Sequence, residues 1–121
     1  MKNKIKIADS ELPIMKVLWQ NGKLTSPEIF SHLEGNVSTL KTLLKRLVDK
    51  GAVEAEEINS RTYRYHAKVT EDEYIRQERR GFLQKLFDGS KEKMLLNFVK
   101  EEQITRADLE KLMDIIDEED K

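Results

Sequence analysis

The stretch that most constrains this chain is residues 36–51, Asn36-Val-Ser-Thr-Leu-Lys-Thr-Leu-Leu-Lys-Arg-Leu-Val-Asp-Lys-Gly51. Leu40, Leu43, Leu44 and Leu47 fall at i, i+3, i+4 and i+7, which is one apolar stripe on a helix. Ser38, Thr39, Lys41, Thr42, Lys45 and Arg46 fall off that stripe. Asn36 can cap the start, and Gly51 can take the left-handed conformation at the end. A helix buried on one side, with hydroxyls and then cations on the other, suits the major groove of double-stranded DNA, where those groups reach base edges and phosphates. An ordinary solvated helix face has the same pattern, so the neighbouring segments must decide.

Two short elements precede it. A first helix is expected over about residues 9–20, capped by Asp9 or Ser10, with Glu11 and Pro13 in the first turn. Its apolar face is Leu12, Met15, Leu18 and Trp19, with Trp19 the anchor of a small core. After the Asn21-Gly22 turn, Thr25 and Glu28 form a capping box. The helix they open should run to about Glu34, burying Ile29, Phe30 and Leu33, and stop at Gly35. Two short helices joined by a tight glycine-containing turn make a helix-turn-helix, whose second member is the recognition helix.

Residues 52–58 and 61–67 alternate and are rich in β-formers, with Asn59-Ser60 between them. A β-hairpin directly after a recognition helix defines a winged helix. Arg61 lies at the hairpin tip and could reach a phosphate or the minor groove, or serve as a solubilising edge charge. Arg64 should pair with a glutamate across the hairpin. Tyr63 and Tyr65, two apart on one strand face, should both pack on the core. His32 and His66, with no cysteine and no metal-ligand spacing, point to no metal site and no cofactor.

Beyond Lys68–Thr70 the character changes to helix alone. Thr70 and Glu73 form a second capping box for a helix to Phe87, which carries Phe82, Leu83 and Leu86. Ser90 opens a helix to about Glu102 with Met94, Leu95, Phe98 and Val99. Thr105 opens a last one with Leu109, Leu112, Met113 and Ile116 at i, i+3, i+4 and i+7, and the end should fray. So small a helical unit rarely stabilises itself, and a second copy of the chain is the economical partner for its stripes. The expected fold is mainly α with a small β-hairpin: a winged-helix DNA-binding domain over residues 1–69 and a helical homodimerisation domain over 70–121. The candidate dimer residues are Phe82, Leu86, Leu95, Phe98, Leu109, Leu112, Met113 and Ile116.

Charge supports the division. The net charge of −1 conceals +4 over residues 1–68 and −5 over residues 69–121. Only the first half is suited to a polyanion. There is no apolar run of membrane-spanning length and no signal-peptide core, so a cytoplasmic protein is expected. No cysteine nucleophile, metal-ligand spacing, glycine-rich phosphate loop or Ser/His/Asp constellation suggests an enzyme.

Four segments resemble the BlaI/MecI family of bacterial penicillinase repressors. They are Glu11-Leu-Pro-Ile-Met-Lys-Val-Leu-Trp19, Thr39-Leu-Lys-Thr-Leu-Leu-Lys-Arg-Leu47 followed by Lys50-Gly51, Arg61-Thr-Tyr-Arg-Tyr65, and Leu95-Leu-Asn-Phe-Val99. The resemblance implies a dimeric repressor on palindromic operators of β-lactam-resistance genes, inactivated when a sensor-linked protease cuts between Asn97 and Phe98. It carries base and phosphate contacts to Thr39, Lys41, Thr42 and Arg46, and more loosely to Ser38. Asn36-Val37 stand where the family often has Ser-Pro. Lys41 stands where several members have arginine, and lysine lacks the planar fork that arginine offers guanine. A related branch senses copper through paired C-terminal cysteines, and this chain has no cysteine. Two alternatives remain open from the residues: a winged-helix protein-interaction module, and a repressor that responds to a small effector.

Overall fold

The computed structural model describes residues 5–102 and 105–119, with side chains outside the description at Glu102 and from Ile116 onward. The elements, in order, are α1 (Leu12–Asn21), β1 (Leu24–Thr25), α2 (Ser26–Ser31), α3 (Val37–Asp49), β2 (Val53–Asn59), β3 (Thr62–Ala67), α4 (Glu71–Phe87), α5 (Lys91–Glu102) and α6 (Arg106–Glu119). The chain divides into two compact units, Met1–Ile75 and Arg76–Lys121. The division falls inside α4 rather than at Lys68–Thr70. The first turn of α4 belongs with the N-terminal unit because Tyr74 stacks on Trp19, with ring centroids 5.5 Å apart. The Trp19 indole also donates to the Val69 carbonyl at 2.9 Å, so the half-buried tryptophan fastens the exit of the sheet to α1.

Local chemistry sets the helix ends. Thr25 accepts from the Glu28 amide, and Glu28 accepts from the Thr25 amide at 2.8 Å, completing the expected box. The Thr25 backbone N–H, with its hydroxyl next, holds the Glu28 carboxyl below its ordinary value. Asn36, Thr70, Ser90 and Thr105 likewise cap their helices through side-chain oxygens. At the end of α3, the Ala52 amide donates to the Leu47 carbonyl at 2.9 Å and Gly51 has φ 86. That paired closure needs a left-handed residue, and glycine adopts it without strain.

Four expectations need correction. Asp9 and Ser10 do not cap α1. Residues 8–11 form a turn in which the Ala8 carbonyl accepts from Glu11 and Leu12, and Glu11 occupies the cap position with no side-chain cap. Its carboxylate instead reaches back to the Ala8 amide at 2.9 Å. α2 ends at Ser31 rather than Glu34, because the His32 and Leu33 amides take tightened i−3 bonds to Ile29 and Phe30. The sheet has a third strand: β1 pairs with β3, giving the order β1-β3-β2, with Leu24 opposite Tyr65 and Thr25 opposite Arg64. This two-residue strand is too short to show alternation. Tyr63 is exposed whereas Tyr65 packs against the core; β1 pairs with β3 at Tyr65 and Arg64 and stops short of Tyr63.

Arg64 does lie opposite a glutamate, Glu56, but that carboxylate is taken by Lys23 at 3.3 Å. Across the same hairpin His66 Nε2 lies 3.2 Å from Glu54. The core of the first unit is built from Ile7, α1 (Ile14, Met15, Val17, Leu18), Ile29 of α2, Leu44 and Leu47 of α3, and Ala52 and Val53 at the start of the wing. Burying side chains of this size contributes about 1.5–3 kcal/mol each.

In the second unit, the Gly89 amide donates to the Leu83 carbonyl at 3.1 Å and closes α4, with Asp88 at φ 52. Phe82 and Phe87 meet as tilted rings with centroids 5.8 Å apart, and Met94 and Leu95 are buried.

Candidate nucleic-acid interface

The apolar stripe of α3 fixes what its other side presents. Leu40, Leu44 and Leu47 are buried and Leu43 is half-buried. The helix therefore cannot rotate without exposing leucine. Ser38, Thr39, Lys41, Thr42, Lys45 and Arg46 are all exposed, so the structure brings six sequence-predicted residues onto one accessible surface of one rigid element.

Their hydrogen bonds differ in a way that matters for recognition. The Asn36 side-chain Oδ1 accepts from both the backbone amide and the hydroxyl of Ser38, each at 2.8 Å. The Thr42 hydroxyl donates to the Ser38 carbonyl at 3.0 Å. Thr39 has no side-chain hydrogen bond among the described residues. Lys45 pairs with Asp49 at 3.1 Å, an exposed i,i+4 pair that holds its charge only weakly. Lys41 and Arg46 have no ion-pair partner among the described residues. Arg61 is exposed at the turn between β2 and β3, and its amide donates to the Asn59 side chain at 3.3 Å.

The end of α3 is held by two residues that sequence reasoning missed. Lys50 Nζ lies 2.7 Å from Glu11 Oε1 and donates to the Lys6 carbonyl at 2.8 Å. Glu11 is 1% exposed. Burial alone pushes its carboxyl up, but the Lys50 hydrogen bond, the Ala8 amide and the charges of Lys50 and Arg46 outweigh it, and its pKa lies below the ordinary value. The pair clamps the C-terminal end of α3 to the start of α1. An acidic residue at a helix start reads as a partner for the helix dipole, so nothing in the sequence marks Glu11 as buried.

The remaining expected residues lie in the second unit. Phe82 and Leu86 are exposed, Leu95 is buried, and Phe98, Leu109, Leu112 and Met113 are half-buried. Ile116 lies outside the residues whose side chains are described. Asn97 is exposed and Phe98 half-buried within α5. Leu96, Val99 and Ile115 add exposed apolar surface that the sequence reading did not assign to the dimer.

Helices α2 and α3, followed by a two-stranded wing, with an exposed cationic and hydroxyl-bearing face on α3, define a winged-helix DNA-binding protein. The comparisons agree. The profile of the family described as "Penicillinase repressor" matches residues 7–118. The penicillinase repressor of Bacillus licheniformis is 30% identical over 122 residues, covering 98% of this chain and 94% of that one. The methicillin resistance regulatory protein MecI of Staphylococcus aureus is 25% identical over 121 residues, covering 96% of this chain and 98% of that one. The solution structure of the DNA-binding domain of the repressor BlaI superposes with a TM-score of 0.53 at 31% identity, covering 61% of this chain and 94% of that one. The chain belongs to the penicillinase repressor family, a family of DNA-binding repressors. Among the described residues no helix is long and apolar enough to cross a membrane.

Proposed function

We propose that this chain represses β-lactam-resistance genes as a homodimer on a pseudo-palindromic operator, and that cleavage between Asn97 and Phe98 releases it. The observation that carries the reading is the polar face of α3, where Lys41 and Arg46 stand exposed beside the hydroxyls of Ser38, Thr39 and Thr42. Arginine and lysine reach guanine or phosphate, and hydroxyls reach phosphates and base edges. Arg61, on the wing, supplies a contact beside that groove.

The geometry of operators and the second unit support a dimer. Two recognition helices on a pseudo-palindrome stand about one turn, ~34 Å, apart. Leu86, Leu96 and Ile115 are each more than half exposed, at 57, 52 and 51%, and such side chains are suited to burial against a second copy. Cleavage after Asn97 removes residues 98–121 but leaves the winged helix whole. The loss is then one of linkage: a second module held at high effective concentration adds about 10²–10⁴ in affinity. A protease needs extended backbone, so α5 must open locally before it is cut. The enzyme in this reading is a protease linked to a membrane sensor of β-lactam.

The test compares the full chain with a truncation ending at Asn97, by sedimentation and by gel shift on duplex from the promoter it controls. The truncated chain should be monomeric and bind about 10²-fold or more weakly. A truncated chain that stays dimeric and binds as tightly as the full one refutes cleavage as the switch.

A further inference from the structure

The first turn of α3 carries an apolar side chain that stands outside the core. Val37 is the first residue of the helix and is 52% exposed, immediately before Ser38 and Thr39. A β-branched residue adds little to helix formation, and half of this side chain stays open to solvent. In helix-turn-helix docking the N-terminal residues of the recognition helix are the ones that meet base edges.

The hydroxyls around it narrow what those edges are. The Ser38 hydroxyl donates its proton to Asn36 at 2.8 Å, and the Thr42 hydroxyl donates to the Ser38 carbonyl at 3.0 Å. In this arrangement each hydroxyl proton is engaged within the helix, and each exposed oxygen offers a lone pair as an acceptor. In the major groove an acceptor matches the amino group of adenine or cytosine, whereas guanine offers only acceptors and is mismatched. An apolar contact matches the C5-methyl of thymine. Acceptors and methyl groups within the first two turns of α3 therefore match an A·T pair.

We propose that Val37 is a specificity residue, packing its methyl groups on the C5-methyl of a thymine in each half-site, so that the first turn of α3 reads an A·T pair. The inference rests on the DNA-binding assignment and adds the base that this turn selects. It also separates the labours of the helix: Val37, Ser38 and Thr42 read A·T near its start, while Lys41 and Arg46 serve guanine or phosphate.

The test begins by selecting duplexes with the full chain from a pool of about 20 randomised base pairs, a length that covers two half-sites. Each thymine of the selected sequence is then replaced by deoxyuridine, which deletes only the methyl. One position in each half-site should weaken binding about fourfold, the equivalent of one apolar carbon group exposed to water, and about 15-fold when both half-sites are changed. Val37→Ala should bind the thymine and uracil duplexes equally. A wild-type chain indifferent to deoxyuridine at every position overturns the proposal without any reliance on the variant, and so does a Val37→Ala chain that keeps the wild-type penalty. If the full chain enriches no sequence, the DNA-binding assignment itself fails and this inference with it.

Discussion

Replacing Lys50 by Met keeps a stem of similar length and removes the cation from the Glu11 carboxylate. That carboxylate is almost wholly buried, and Lys50 is its partner at 2.7 Å. Removing one member of a buried pair costs about 3–5 kcal/mol. Here the lysine side chain is 32% exposed, so water reaches the pair and the loss falls toward the bottom of that range. A second bound comes from protonation. At pH 7, neutralising a carboxyl of ordinary value 4.5 costs about 3.4 kcal/mol, and less once burial has raised it. The expected loss is about 2–3 kcal/mol. Glu11→Gln is milder, about 1 kcal/mol, because an acceptor remains for the Ala8 amide and the freed lysine turns into water. The double variant should match Glu11→Gln, a coupling of roughly 2 kcal/mol. Urea melts of the full chain at one protein concentration measure this, with the single tryptophan, Trp19, as reporter. Because the folded pKa of Glu11 is lowered, its contribution is fully present above the unfolded value, 4.5, and is lost as pH falls through the depressed folded value. The gap between wild type and Lys50→Met should therefore narrow on acidification. A gap below about 0.5 kcal/mol at neutral pH, the ordinary scatter of surface substitutions, or one that persists in acid, refutes the clamp.

Lys41→Ala and Arg46→Ala should each weaken operator binding by about 1–3 kcal/mol and relax specificity if the contact is to a base. A phosphate contact would instead weaken all sequences alike and lower the salt slope by about one; unchanged affinity in both variants on an intact fold removes α3 as the reading element. Leu47→Ala, at a position with 0% exposure, should cost about 2–5 kcal/mol in the same urea melts. Tyr74→Leu should cost about 0.5–1.5 kcal/mol beyond lost area by removing the ring contact with Trp19, and should change the tryptophan emission of the folded chain.

What the sequence determined by itself was everything set by short-range periodicity and capping. The leucine stripe of residues 40–47 settled which side of α3 is buried, because side chains at i, i+3, i+4 and i+7 share a helix face whatever lies against them. The boxes at Thr25 and Thr70, and the caps at Asn36, Ser90 and Thr105, were legible because donor and acceptor lie within three residues of one another. The six polar residues of the candidate DNA-binding face on α3 followed as the complement of the stripe. Tertiary structure decided what depends on residues far apart in the chain. That β3 has a second neighbour beside Tyr65 depends on β1, a two-residue strand roughly forty positions earlier that carries no pattern of its own. Whether Glu11 is a solvated helix-start charge or a buried one depends on Lys50, which only the folded chain places at 2.7 Å. Val37 shows the two together: its place at the head of α3 is written in the sequence, but its exposure is a property of the packed fold, since an apolar residue at that position becomes available to DNA only when no neighbour closes over it.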